Sequence, residues 1–324
     1  MKRSVGATVV SAASLALCLA AAEPAHATFP GSNGRIAFRR VLNASGTRGA
    51  IFTIYPDGSR ERQLTHPHGA RRDTEPNWSP NGRWIVYAVW HDGNEGDSDV
   101  FKIRADGSHR TKLDASCTTP CQSDEFPAWS PTGEQIVLQR SLGPSIDQEN
   151  LTVLFVMRAD GTNAAQLTQV GADPNVEQAY GDHDPTWSPD GQRIAFERIR
   201  FATDHHAIFT VRIDGTGLRQ LTPWRLDAAS PDWSPSGRWI AFRTQETSDT
   251  HGDLGLVRPT GKHRHLVTSG SGKWGLLSFS PDGRHIASTF SDGVLYAMRV
   301  DGTHLRPVVS DAGIPGWGPR APSS

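Results

Sequence analysis

Sulfur and tyrosine are scarce in this chain: three cysteines, three methionines and four tyrosines among 324 residues. Three cysteines cannot build a disulfide framework, and a four-thiolate zinc site is excluded outright. Charge of one sign is lacking too. The 33 basic residues nearly balance 34 acidic ones, for a net charge of −1. No basic stripe stands out, so no nucleic-acid partner is expected. Beyond residue 27 no apolar run approaches the roughly 20 residues that a membrane-crossing helix needs. No Gly-x-Ser-x-Gly nucleophile elbow occurs. Ser269-Gly-Ser-Gly-Lys273 lacks the spacing of a phosphate loop.

The first residues read as a leader. Lys2 and Arg3 precede an apolar run from Val9 to Ala22, and Ala25-His26-Ala27 is a small-x-small cleavage site. Residues 1–27 are therefore expected to be a secretory signal peptide, and residues 28–324 one exported domain, periplasmic or extracellular. After cleavage no stable membrane insertion is expected. Cys117 and Cys121 would then meet an oxidising compartment, where a disulfide is the favoured state. A loop that short constrains one connection rather than stapling the fold.

What is abundant is repetition. PNWSPNGRWIVY begins at Pro76, PAWSPTGEQIVL at Pro127, PTWSPDGQRIAF at Pro185 and PDWSPSGRWIAF at Pro231. LSFSPDGRHIAS begins at Leu277, and PGWGPR at Pro315 is a fragment of the same phrase. A second phrase is interleaved: YPDGS at Tyr55, RADGS at Arg104, RADGT at Arg158, RIDGT at Arg212 and RVDGT at Arg299. The anchor aromatics Trp78, Trp129, Trp187, Trp233, Phe279 and Trp317 are spaced by 51, 58, 46, 46 and 38 residues. Periods of this length mark a propeller or solenoid.

Short β-rich bursts separated by Gly, Pro, Asn and Asp make each unit a set of strands. Strand a carries the Pro-x-Trp-Ser phrase. Ser-Pro-Asp-Gly makes the turn into strand b. A variable connection leads to strand c. Asp-Gly then closes a hairpin into strand d, which ends in Leu-Thr. Four antiparallel strands per unit make a propeller blade.

The first unit, from Asn33, lacks a Trp-Ser strand, and the last fragment, Ile314 to Pro319, is such a strand alone. The second would complete the first and remove open sheet edges. The expected fold is all-β, a six-bladed propeller of four-stranded antiparallel blades. The blades are placed at about 34–66 plus 314–319, 75–114, 126–168, 184–222, 230–268 and 275–309.

The combined repeat, P-x-W-S-P-D-G-x-x-I-A-F followed by I-F and D-G-T-x-x-x-Q-L-T, resembles that of the TolB-like propeller family (WD40-like, PD40 repeats). The resemblance covers nearly all of the chain after the first 30 residues. It is to the propeller alone, without the α/β domain that precedes it in TolB. It implies that strand a lies innermost, against a central channel, and that the d-to-a and b-to-c connections share one face.

On that face the candidate site gathers acidic groups just ahead of strand a: Asp73 and Glu75, Asp124 and Glu125, then Asp182, His183 and Asp184. Such a half-ring suits a basic peptide segment or a cation. Calcium takes six to eight oxygen ligands and is the metal considered for the channel mouth; no other cofactor is expected. The competing reading is that these are solvated loop acids. His66 and His68, His205 and His206, and His263 and His265 are read as loop histidines. Trp90, Trp224 and Trp274 lie outside the anchor position and are read as packing residues with some prospect of a ligand contact.

Two functions follow. The first is a monomeric, non-enzymatic module that binds an envelope or extracellular protein or peptide, with no catalytic residue. The second is a propeller enzyme, a lyase or metal-assisted hydrolase of the lactonase type, working at the acidic mouth with a histidine such as His183. An enzyme needs Asp124, Asp182, His183 and Asp184 to converge on one point.

Overall fold

The structure, a computed structural model, describes residues 30–91, 97–113, 121–142, 151–169, 180–244, 252–270 and 274–322. The expected signal peptide and Cys117 lie outside them, so nothing here bears on the disulfide. Apart from a single 3-10 turn at Trp224–Leu226, the regular elements are strands. Among the described residues no helix is long and apolar enough to cross a membrane.

The strands come in antiparallel sets. β1 (Asn33–Val41), β2 (Gly49–Ile54) and β3 (Arg62–Gln63) are followed by β4 (Arg72–Trp78), β5 (Trp84–Trp90), β6 (Ser98–Arg104) and β7 (Thr111–Lys112). The next set is β8 (Cys121–Trp129), β9 (Gln135–Leu142), β10 (Leu151–Arg158) and β11 (Ala165–Gln166). Then come β12 (Tyr180–Trp187), β13 (Arg193–Arg200), β14 (His205–Arg212) and β15 (Arg219–Gln220). β16 (Ala228–Trp233), β17 (Ile240–Thr244), β18 (Leu254–Val257) and β19 (His265–Leu266) precede β20 (Trp274–Phe279), β21 (His285–Phe290), β22 (Leu295–Arg299) and β23 (Arg306–Val309). The last strand, β24 (Gly313–Pro319), returns to pair antiparallel with β1, with Trp317 opposite Ile36. The ladder is not continuous. Single parallel bridges, Gly49 to Arg72 and Ser98 to Ser123, join the first sets into one 12-stranded sheet, and three four-stranded sheets stand apart.

The repeated phrases have local causes. In Ser-Pro-x-Gly the serine hydroxyl accepts the backbone N–H five residues on. These bonds are Ser79 to Trp84 (2.9 Å), Ser130 to Gln135 (3.0 Å), Ser188 to Arg193 (2.8 Å), Ser234 to Trp239 (3.0 Å) and Ser280 to His285 (2.9 Å). The turn glycine, Gly191 for example, sits at φ +67°, a conformation that glycine adopts without steric cost. The threonine of Leu-Thr has a comparable task. Thr65, Thr168, Thr222 and Thr268 accept the N–H groups of Ile51, Leu154, Ile208 and Leu254 at 2.8–3.0 Å. These bonds fasten the very short outer strands, and short outer strands leave little open edge.

The inner strand differs from expectation in one respect. It starts well before the Pro-x-Trp phrase, at Arg72 in β4, Cys121 in β8 and Tyr180 in β12. The strand continues through the proline because the chain bulges there. Register shifts fall between Thr74 and Asn77, Glu125 and Ala128, His183 and Thr186, and Ala229 and Asp232. Proline has no N–H to donate, and a bulge is where a strand accommodates it. The residue before the proline takes a positive φ: Glu75 (55°), Phe126 (47°), Asp184 (48°), Ser230 (51°) and Ile314 (49°). Each such non-glycine residue carries roughly 1 kcal/mol or more of strain. Between the sheets the anchor rings are buried, Trp187 at 2% exposure and Phe279 at 0%, among Ile, Val and Leu side chains of adjacent strands.

Candidate functional site

The strained positions converge. Three residues before each anchor aromatic stand Glu75, Phe126, Asp184, Ser230, Leu276 and Ile314, and all of them line one cavity of about 100 Å³. Below it, a smaller cavity of about 40 Å³ is lined by Trp78, Trp129, Trp187 and Trp317. The inner strands thus surround an axial space. Glu75 and Asp184 stand on one side of its mouth, Leu276 and Ile314 on the other, and Asp232 also lines the cavity.

The candidate acids therefore do not lie in solvated connections. Asp73, Glu75, Asp124, Glu125, Asp182, His183 and Asp184 all sit within β4, β8 and β12. Asp73, Glu75, Glu125 and Asp182 are buried, each under 9% exposed. The bulge and the pleat sort them into two groups.

Asp73, Asp124 and Asp182 occupy the outer group, five residues before the anchor. Arg140 holds Asp124 through Nε at 2.6 Å and a second nitrogen at 2.7 Å. Arg198 holds Asp182 in the same two-pronged way, at 2.6 and 2.8 Å. Burial raises the Asp73 carboxyl above its ordinary range, against the Thr65 hydroxyl and the Arg110 and Arg71 charges. These aspartates are structural partners on the flank of the inner strand and do not reach the axis.

Glu75 and Asp184 form the inner group at the cavity, and Glu125, buried outside its lining, interacts with Glu75 and Gln139. Glu75 accepts the Phe126 N–H at 2.7 Å through Oε2, while Oε1 is buried without a hydrogen-bond partner among the described residues. Burial holds Glu75 well above the usual carboxylate range, and the Glu125 and Asp184 charges add to that. Gln139 on β9 links the other two, donating to Glu125 (3.1 Å) and accepting the Asp184 N–H (3.0 Å). Asp184 takes a hydrogen bond from the Ser230 hydroxyl at 2.9 Å. Burial, with the Glu197 charge behind it, pushes Asp184 up to about 7.

Glu197 on β13 accepts the Ser230 N–H at 2.9 Å and meets His206 Nδ1 at 2.5 Å. Burial works against Glu197, yet the His206 hydrogen bond and charge hold its carboxyl below the usual range. Burial likewise lowers His206, and the same bond overrides it, so that His206 is raised. His183 is pushed down by burial, and its Nε2 has no partner among the described residues. Asp124 and Asp182, each bound to an arginine, do not converge with His183 and Asp184 as a catalytic centre would require. Among the described residues no three His, Cys, Asp or Glu side chains cluster as metal ligands.

The remaining histidines are placed as follows. His66, His68, His263 and His265 are exposed, whereas His205 and His206 are bound to Asp227 and Glu197. Trp90 and Trp274 are buried, at 8% and 3%. Gln139, Glu197, Ser230 and the apolar half of the mouth escape a reading of acids alone. Aligning the repeats on the anchor aromatic brings them into view: Ser230, Leu276 and Ile314 share the column of Glu75 and Asp184, and Gln139 and Glu197 share another, ten residues after the anchor.

Within this cluster the raised Asp184 and His206 make stability fall with rising pH, while the lowered His183 opposes them around and below about 6.5. An acid that the fold keeps protonated binds its proton more tightly folded than unfolded. Stability is then lost as pH climbs from the unfolded carboxylate range near 4 toward the folded value of about 7 for Asp184. The raised His206 acts in the same direction, since its stabilisation is present below about 6.5 and is lost above. Chemical denaturation should give a lower unfolding free energy at pH 8 than at pH 5, and Asp184→Asn should flatten that slope by on the order of 1 kcal/mol or more. An unchanged slope in the variant would remove Asp184 as its source.

Comparison with known proteins agrees with the architecture. The PD40 family profile, described as the TolB beta propeller domain, matches residues 121–321, more than half of the chain. An uncharacterized protein of Agrobacterium fabrum is 30% identical over 158 residues; the match takes in 47% of this chain and 49% of that protein. The chain thus spans about half the length of this curated relative. Among solved structures, a putative TolB from Agrobacterium tumefaciens superposes with a TM-score of 0.61 at 20% identity, over 86% of this chain and 90% of that one. TolB from Acinetobacter baumannii gives 0.66 at 18%, over 90% and 68%. At these identities the likeness is one of fold.

Proposed function

The chain belongs to the PD40 family of TolB β-propeller domains, and from that premise we propose that it is an exported binding module that holds a segment of a protein partner at the channel mouth. In this reading the strand sets are six blades and β24 closes the ring on β1. Pairing of Ile36 with Trp317 supports the closure, as does the bond from the Trp317 N–H to Ser278 Oγ across the seam at 3.0 Å.

The observation that carries the binding role is the composition of the mouth. Glu75 presents a carboxylate oxygen with no donor among the described residues, Asp184 stands nearby, and Phe126, Leu276 and Ile314 supply apolar surface. A short peptide segment with a cationic group beside an apolar side chain matches that division. The cation would replace the proton that the buried acids otherwise keep. Asp124, Asp182 and Glu197 are already committed to Arg140, Arg198 and His206. The partner is taken to be an envelope or extracellular protein, met after removal of residues 1–27.

The test is affinity capture from the native envelope and medium after light crosslinking, beside a Glu75→Gln/Asp184→Asn variant and a Leu276→Asp variant. One protein recovered with the native chain and lost from both variants, at unchanged melting temperature, supports the reading. Equal recovery by all three overturns it. Turnover of a lactone or polysaccharide panel by the native chain would favour the enzyme instead.

A further inference from the structure

A second, larger cavity lies away from the axis, between β11 of one strand set and β12–β15 of the next. Its volume is about 710 Å³, within the usual range for small-molecule sites. Tyr180, Phe209 and Trp224 form an aromatic wall. The Trp224 ring lies parallel to Tyr180 (centroids 6.4 Å apart, 13° between planes) and tilted against Phe209 at 5.6 Å. Gln166 and Gln220 face the same space from the outer strands, and each spends only its amide N–H on a threonine carbonyl, at 2.7 Å.

Two arginines enter this cavity on unequal terms. Arg198 is neutralised by Asp182. Arg200 stacks over Trp224 with its guanidinium carbon 4.0 Å from the ring centroid, and its Nε is buried without a hydrogen-bond partner among the described residues. A guanidinium held flat on an indole keeps its edge free for an anion. Among the described residues the cavity thus offers one positive charge without a carboxylate partner, apolar ring faces and amide oxygens that accept hydroxyl protons.

We propose that this side cavity is a binding site for a sugar acid, a pyranose ring carrying one carboxylate. The ring's C–H face packs on the aromatic wall, its hydroxyls donate to the Gln166 and Gln220 oxygens, and its carboxylate pairs with Arg200. One guanidinium matches a monoanion in two-pronged geometry. A phosphate dianion would need further donors, and Asp214 on the rim disfavours the extra charge. The site is separate from the channel mouth, and either can exist without the other.

Calorimetric titration of the full chain with glucuronic acid and with glucose tests this. A hydrogen bond to a charged group is worth about 1.5–3 kcal/mol, so glucuronic acid should bind at least about tenfold more tightly than glucose. Arg200→Gln should erase that preference, and glucuronic acid should alter native Trp fluorescence. Arg200→Lys keeps the charge but not the flat fork and should keep only part of the preference. Thermal melts establish that both variants fold, and the Glu75→Gln/Asp184→Asn chain should bind glucuronic acid as the native chain does. Equal affinity for the two sugars, no binding of glucuronic acid, or full affinity in Arg200→Gln would each overturn the assignment.

Discussion

Deletion of residues 314–324 is expected to lower the melting temperature by about 10 °C or more, or to abolish cooperative unfolding. The segment holds Trp317, 5% exposed and packed with Ile36, Phe38 and Ala312. Removing a buried tryptophan side chain costs about 3–5 kcal/mol. For a domain of this size each kcal/mol corresponds to roughly 2 °C. More is lost than the ring. Gly318 lies flat on Trp78, so close that a Cβ there would come within 2.3 Å of the indole. The Arg320 N–H donates to the Ser32 carbonyl at 2.9 Å. Without β24, β1 is left with an unpaired edge, and such edges seek other chains. Differential scanning calorimetry is the measurement, with a Trp317→Ala chain beside the truncation. A synthetic peptide of the deleted segment should restore part of the loss. A truncated chain melting within about 2 °C of the full one would show that β24 is dispensable and would sink the proposed ring closure.

The second large effect concerns the outer aspartates. Arg140→Met should destabilise the protein by about 3–5 kcal/mol, because Asp124 is left charged and buried with its partner gone. The side chains of this pair are 3% and 15% exposed, so water cannot take over the arginine's role. Arg140 also lies over the Phe155 ring at 4.5 Å, a contact that methionine keeps only in part. Arg198→Met should behave alike, since Arg198 and Asp182 are 12% and 3% exposed. The double change Arg140→Met/Asp124→Leu should recover most of the loss, since an apolar pair of similar volume often replaces a buried ion pair at little cost. Urea denaturation of the two single variants and the double gives the coupling. A loss under about 1 kcal/mol in the single variant would mean that the pair behaves as an exposed one.

The fold was legible because its local rules repeat. Serine before proline, glycine three residues on and threonine after leucine each make one backbone hydrogen bond or one turn, and none depends on distant residues. The all-β class and the strand order follow from those phrases. The start of the inner strand did not follow, because proline reads as a strand boundary. The bulge that carries the strand past Pro76, Pro127 and Pro185 is set by pairing with β5, β9 and β13. A run such as Asp182-His183-Asp184 looks like one cluster along the chain. Across a pleated, bulged strand it is three directions, toward Arg198, toward the Glu197 side and toward the axis.

By itself, then, the sequence determined the repeat and the turns, since these rest on contacts close along the chain. Only the tertiary structure decided which acids bind arginines, which are buried at the cavity with raised affinity for a proton, and that Arg200 stands beside Trp224 without a carboxylate partner among the described residues. Those outcomes depend on side chains from strands within one set, as for Asp124 with Arg140, or from different sets, as for Asp184 with Ser230, meeting in a low-dielectric interior. There, separation in space, and not along the chain, sets how strongly charges act on one another.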